Sequence, residues 1–269
     1  MVGQLAAGRG KARYRMERRT FLLNSTRMLW AALFAGRMPA AAELFLPPPP
    51  NTPRMALIID DIGFNLRRAE RFLHPGIPIT FSILPHLRWS EESALALHAG
   101  GHEIMLHQPM EPFSPAVDPG PGAIFVNDRS DRIHRVVNEN ILTLPNVIGM
   151  NNHMGSRYTQ ISRKMDQALS AVKSRGLFFV DSLTTGHSTA FVRARQMGVA
   201  ALRRDLFLDN QHHAAAVLHQ LSRLARRAQQ RGTAVGIGHP RPETAEGILR
   251  FLDTPEARGL DFVHISRLL

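Results

Sequence analysis

The chain contains no cysteine. Disulfides, thiolate metal sites and cysteine nucleophiles are therefore excluded. The absence identifies no compartment, although an exported chain without cysteine avoids mispairing in an oxidising space. An apolar run long enough to cross a bilayer is also missing from the start of the chain: the run there covers only residues 28–36, against the roughly 20 residues a spanning helix needs. There is no internal repeat, and no long acidic or basic tail beyond the start. What remains is 269 residues with 44% hydrophobic and 20% charged content. That composition excludes global disorder and suffices for one large domain with a real core.

The formal net charge of +11 is unevenly placed, because residues 1–42 carry eight Arg or Lys against one Glu, while the remainder carries 25 basic and 21 acidic residues. The basicity is largely a property of the leader, and the rest shows no basic cluster on one element. Nucleic-acid binding is disfavoured on that ground.

Residues 1–42 read as a targeting segment. Arg18-Arg19 followed by Thr-Phe-Leu-Leu resembles a bacterial twin-arginine export signal. The short apolar run follows, and then Pro39-Ala-Ala-Ala42 offers small residues suited to cleavage. A general secretory signal with an ordinary basic region and an uncleaved anchor are the alternatives, and Met16 is an alternative start. Export predicts a periplasmic or secreted protein with no membrane anchor left after cleavage. Residues 43–53 form a Pro-rich linker, since four prolines at 47–50 make a stiff, extended spacer. The folded domain is expected over 54–269.

From 55 onward, short apolar runs alternate with amphipathic stretches. Strands are expected at 55–60, 77–84, 102–107, 147–151, 177–181, 206–208, 234–238 and 262–265. Helices are expected within 65–73, 89–99, 129–143, 161–175, 187–196 and 212–231. Several strands are continuous apolar runs, as in a parallel sheet covered by helices. The repetition predicts an α/β fold, a distorted (β/α) barrel with about seven parallel strands, with a doubly wound open sheet as the alternative. The Pro- and Gly-rich stretch 112–128 is expected to be a long loop over one end.

The polar residues fall at strand ends. Asp60 and Asp61 end the first strand, His107 the third, Asn151-Asn152-His153 the fourth and Asp181-Ser182 the fifth. Asp205 and Asp209 flank the sixth, and His239 ends the next. Any one such Asp or Asn is explained by a turn or a helix cap. In parallel α/β folds, however, the carboxyl ends of the strands open into one common site, and five strand ends bearing metal-compatible or acid–base groups weaken that explanation jointly.

The segments Ile58-Ile-Asp-Asp-Ile-Gly63, Gly101-His-Glu-Ile-Met-Leu-His-Gln-Pro-Met-Glu-Pro112, Gly149-Met-Asn-Asn-His-Met-Gly-Ser-Arg157, Phe178-Phe-Val-Asp-Ser182 and Gly236-Ile-Gly-His-Pro240 occur in that order. Together they resemble the divergent polysaccharide deacetylase family, over roughly 54–269. The resemblance implies a distorted (β/α) barrel and a divalent metal, zinc by preference for an Asp and His donor set. It also implies removal of acetyl groups from an envelope polysaccharide or amino sugar.

The same resemblance implies roles. Asp60 matches the catalytic base and Asp61 a metal ligand, which agrees with the need for one carboxylate to take a proton from water and another to anchor the ion. His107 matches the first His of a His-x-x-x-His metal motif, but four positions later this chain has Glu111. Glu111 can ligate through oxygen, or His153 on the neighbouring strand end can supply the second imidazole. The favoured ligands are Asp61, His107 and His153, with Glu111 as a supporting or alternate ligand. His239 matches the general acid. Asp181 is expected to orient a neighbouring His or Arg, and Arg157 to neutralise Asp60 or bind substrate. Gly155, Gly236 and Gly238 are expected to accommodate backbone, and His102, His212 and His213 not to be ligands. A non-catalytic envelope protein that binds a glycan or a partner, and a metal-dependent hydrolase of other amide bonds, are the competing functions.

Overall fold

A computed structural model describes residues 51–269. The expected signal segment and all but the last residues of the linker lie outside the described residues. The strands are β1 (Arg54–Ile62), β2 (Thr80–Ile83), β3 (Glu103–Met110), β4 (Val147–Met154), β5 (Phe178–Asp181), β6 (Ala201–Arg203), β7 (Leu206–Phe207), β8 (Thr233–Gly238) and β9 (Asp261–Phe262). The helices are α1 (Leu66–Glu70), α2 (Ser90–Ala99), α3 (Ser130–Leu142), α4 (Ser162–Ser174), α5 (Ala190–Gln196), α6 (Ala214–Arg231), α7 (Pro242–Leu252) and α8 (Pro255–Arg258).

All strand pairings are parallel, in the order β6-β5-β4-β3-β2-β1-β8-β7, with β9 paired to the start of β1. The two ends of that path, β6 and β7, are separated in the chain only by Arg204 and Asp205. One bent stretch thus pairs with β5 through its first half and with β8 through its second. The sheet curls round on itself as a distorted (β/α) barrel, with seven strand positions around the ring if that stretch counts once. The doubly wound alternative is not observed.

Two apolar clusters define the two faces of the sheet. The larger joins Met55, Leu57, Ile59, Phe81, Leu106, Met150 and Phe179 to the helices. The smaller holds Ala56, Ile58, Met105, Phe178, Val180, Val235 and Ile237 with Ile265 from the C-terminal tail. Alternation along each strand makes the first set face outward and the second inward.

Several element boundaries differ from expectation. The strands β3 and β4 run on to Met110 and Met154, past the expected ends at 107 and 151, and β2 begins at Thr80 rather than 77. The helices α7 and α8 and the short β6 were not anticipated. Pro242 and Pro255 look like helix breakers in sequence but sit in the first turn, where a missing N–H costs nothing. The expected strand 262–265 ends at Phe262, and a 3₁₀ turn begins at Ile265. Among the described residues, no helix is long and apolar enough to cross a membrane.

Candidate metal and acid–base site

Alternation determines which strand-end residues meet. On β1 the inward series Ala56, Ile58 continues to Asp60, which is buried. Asp61 would face outward, but its backbone is left-handed at φ 57, and the β1–β2 register slips between Ile59 and Ile62. The irregularity turns both carboxylates to the same side. Asp tolerates this conformation better than a bulky residue does. On β3, Met105 faces inward and so does His107; on β4, Asn151 and His153 share a face; on β8, Val235 and Ile237 lead to His239.

Asp61 Oδ1 lies 3.1 Å from His107 Nε2 and 2.9 Å from His153 Nδ1, and the two ring nitrogens are 3.1 Å apart. Among the described residues, these three form the group whose donor atoms gather as a metal site would require. The protonation pattern can be read from Asn151. Its amide nitrogen donates to Asp60 Oδ1 at 2.8 Å, so its oxygen faces His107 Nδ1 at 2.7 Å and also accepts from Ser82 Oγ. His107 Nδ1 therefore carries the proton, and in the neutral ring Nε2 presents a lone pair to Asp61 and His153. Asp61 Oδ1 is buried with no hydrogen-bond donor. Three electron-pair donors facing one another across about 3 Å repel unless a cation or a proton lies between them. The residues thus fit a divalent ion by their own geometry, and Asp with two imidazoles is a donor set suited to zinc. In the metal-free protein the same pull acts on protons. Burial lowers the His107 imidazole, but Asp60 and Asp61 outweigh it and hold it above its ordinary value. Burial raises the Asp61 carboxyl, but its contacts with His107 and His153 bring it far below the usual carboxylate range. For Asp60 burial dominates, and its carboxyl is raised despite the nearby His107 and His239.

His239 stands across the site, with Nε2 3.9 Å from Asp61 Oδ2. Its Nδ1 is 2.8 Å from Asp209 Oδ1, while Asp209 Oδ2 accepts the His239 N–H and the Thr244 hydroxyl, each at 2.7 Å. Burial lowers the His239 imidazole, and Asp209, with smaller contributions from Asp61 and Asp60, outweighs it and holds the ring above its usual value. Phe207 stacks on the ring at 5.9 Å, and the Arg204 guanidinium lies over the Phe207 ring, 3.6 Å from its centroid. Gly238 permits the close approach of Thr244, because a Cβ there would meet the Thr244 methyl at 2.9 Å.

Three expected site residues are not brought into the cluster. Asp181 faces outward, with Phe179, and accepts from the Ser188 hydroxyl and the Leu183 and Phe191 N–H groups. It organises the loop into α5 and orients no His or Arg side chain by hydrogen bond; the partner of His239 is Asp209. Glu111 is not within the ligand group, since one carboxylate oxygen accepts the Val126 N–H at 2.6 Å and the other the Arg157 guanidinium at 2.8 Å. Arg157 is thereby paired with Glu111 rather than with Asp60. The residues that sequence reasoning noted only by position, Asn151 and Asp209, turn out to set the protonation of the two central imidazoles. Ser82 and Phe207 were missed, and nothing local distinguishes them from ordinary strand residues. His102 lies at the opposite end, and His213 caps α6 through its ring, as expected of non-ligands. A cleft of about 630 Å³ at the amino end of the strands, lined by Arg195, Leu202, Arg203, Asp205, Val235 and Leu268 among others, holds Asp205 but none of Asp60, Asp61, His107, His153 and His239.

A family model described as divergent polysaccharide deacetylase matches residues 57–269. The uncharacterized protein YibQ of Escherichia coli is 32% identical over 204 residues, covering 76% of this chain and 64% of YibQ. This chain therefore spans less than two thirds of the length of that relative. An uncharacterized protein of Haemophilus influenzae is 33% identical over 197 residues, 71% of this chain and 68% of that one. Among solved structures, an uncharacterized protein of Agrobacterium tumefaciens superposes with a TM-score of 0.73 at 24% identity, covering 81% of this chain and 89% of that one. The T48 deacetylase, solved with substrate, superposes with a TM-score of 0.52 at 14% identity, covering 81% and 90%. Both likenesses are of fold.

Proposed function

The chain belongs to the divergent polysaccharide deacetylase family, and from that premise we propose that it is a metal-dependent hydrolase of acetyl groups on an envelope polysaccharide or amino sugar, acting after export from the cytoplasm. The observation that carries this reading is the convergence of Asp61, His107 and His153 beside the buried Asp60, with His239 opposite. Asp61, His107 and His153 would hold a divalent ion, zinc by donor chemistry, which when bound supplies Lewis acidity toward an acyl carbonyl and a water.

The remaining chemistry is the work of the chain's own groups. Asp60 takes the proton of the attacking water as the new carbon–oxygen bond forms. Its position is held by Asn151, and its raised pKa matches it better to that proton than an ordinary carboxylate. Asn151 joins the base to the ligand His107 by one amide, so neither can rotate independently. His239 delivers a proton from Nε2 to the departing nitrogen or oxygen as the bond to the acyl carbon breaks. Asp209 keeps the Nδ1 proton in place and favours the charged ring that this role requires. Acetate and a free amine or hydroxyl result, with no covalent enzyme intermediate.

The test is acetate release from acetylated amino-sugar oligomers, measured beside metal content. About one equivalent of zinc and turnover abolished by chelation are expected. A wild-type protein that binds such an oligomer but releases no acetate would make a binding protein the better description.

A further inference from the structure

Ser182 follows the last residue of β5 and is only 1% exposed, yet its hydroxyl has no hydrogen-bond partner. The rest of the residue is clamped. Its N–H donates to Asn152 Oδ1 at 2.9 Å, and its carbonyl accepts from Arg204 Nε at 2.7 Å. Leu183 is held left-handed at φ 48, with its N–H on Asp181 Oδ1 and its carbonyl on Arg204. Such strain persists where surrounding structure over-determines it, and it clusters at functional positions. The direction of the side chain follows from alternation: Phe178 and Val180 face the barrel interior, Asp181 faces α5, and Ser182 faces the interior again. The β4–β5 register pairs Asn151 with Val180, and beyond it the Ser182 N–H reaches Asn152 Oδ1, so Ser182 lies against the carboxyl end of β4, the strand that carries His153. The other buried hydroxyl without a partner among the described residues, Ser93, lies on α2, away from the strand ends.

A buried hydroxyl left unpaired costs stability, and one at a strand end beside the candidate site can be satisfied by a ligand oxygen. We propose that the Ser182 hydroxyl is a substrate-binding group, donating a hydrogen bond to an oxygen of the acylated sugar on the His153 side of the site. This rests on the deacetylase reading above. It adds a polar contact from β5, the strand whose Asp181 turned outward.

The experiment compares Ser182→Ala with wild type in the full chain, supplied with zinc, on N-acetylglucosamine oligomers. Acetate release, oligomer affinity by calorimetry, zinc content and thermal melting are all read. The expected result is a fall of about 3- to 10-fold in kcat/KM and a weaker oligomer affinity, with zinc content unchanged and Tm equal to or above that of wild type. Unchanged kcat/KM and affinity overturn the proposal, as does a loss that merely tracks lost zinc or a lowered Tm. If wild type binds the oligomer without releasing acetate, the deacetylase reading fails, while the affinity comparison still decides the role of Ser182. If wild type neither binds nor cleaves, both are overturned.

Discussion

The two ends of the barrel both carry polar side chains on inward positions, and they use them in opposite ways. At the amino end, the Glu103 carboxylate accepts from the Thr80 and Ser266 hydroxyls and from the Ser266 N–H, and the Thr80 hydroxyl accepts the Ile265 N–H. Donors and acceptors match around Glu103, and the C-terminal tail is pinned beneath the barrel, with His264 Nε2, among the described residues, the one buried polar atom of that tail left without a partner. At the carboxyl end, Asp61 Oδ1 and Ser182 Oγ are buried and unmatched, while ring nitrogens and a carboxylate oxygen face one another. Buried polar groups are costly unless satisfied. A closed network such as that around Glu103 is sufficient as structure, whereas an unclosed one of this composition marks the end at which, on the proposed function, ion and substrate would complete it.

The largest expected effects separate the members of the unclosed end. Asp60→Asn should keep its zinc and lose about 10²- to 10⁴-fold in kcat, because an amide cannot take the water proton. Asp61→Asn and the double substitution His107→Ala, His153→Ala should instead lose the metal. Elemental analysis alongside acetate release distinguishes the two classes, and full metal retention in the double variant would remove the assignment of these ligands.

Next in size, Glu103→Ala tests the closed end. Removing the shared acceptor leaves the Ser266 and Thr80 donors without it, a loss of roughly 1–3 kcal/mol. Urea unfolding should show the loss, while zinc content and kcat of the folded protein stay at wild-type values. A selective loss of metal or turnover in this variant would erase the distinction between the ends.

A subtler effect concerns His239. The Asp209 carboxylate raises the pKa of that ring. A general acid must be protonated to act, so activity falls as pH rises through the folded-state pKa of His239. In Asp209→Asn that pKa drops, and the alkaline limb of the kcat profile should move to lower pH. An unmoved limb would show that another group supplies the proton.

The smallest effect is expected at Glu111→Gln. Its carboxylate serves the Val126 N–H and Arg157 on the rim, so zinc content should equal that of wild type, with at most a modest change in stability. Loss of zinc here would return Glu111 to the ligand set.

Much of this site was legible before any coordinates. The strand–helix rhythm and the carboxyl-end placement of Asp60, Asp61, His107, His153 and His239 follow from local composition and spacing, because apolar strand cores and polar strand ends are properties of short segments, whereas the roles given to them, His153 as second imidazole included, came from the resemblance to the family. Asp181 looks equivalent to Asp60 in sequence, since each follows a continuous apolar run, and in a strand apolar on both faces nothing local says which alternate residues face the interior. Only the pairing of β5 with β4 and the packing of α5 turn Asp181 outward and leave Ser182 within. The left-handed backbone at Asp61, which brings two neighbouring carboxylates to one site, arises from the register slip between β1 and β2. The Asp209–His239 pair joins residues thirty positions apart that meet because β7 and β8 are neighbours. The sequence by itself determined the class of fold and the chemical types available at its open end. The tertiary structure alone decided which of those groups meet and which protons they hold, because facing, register and strand order are relations between segments that no single segment encodes.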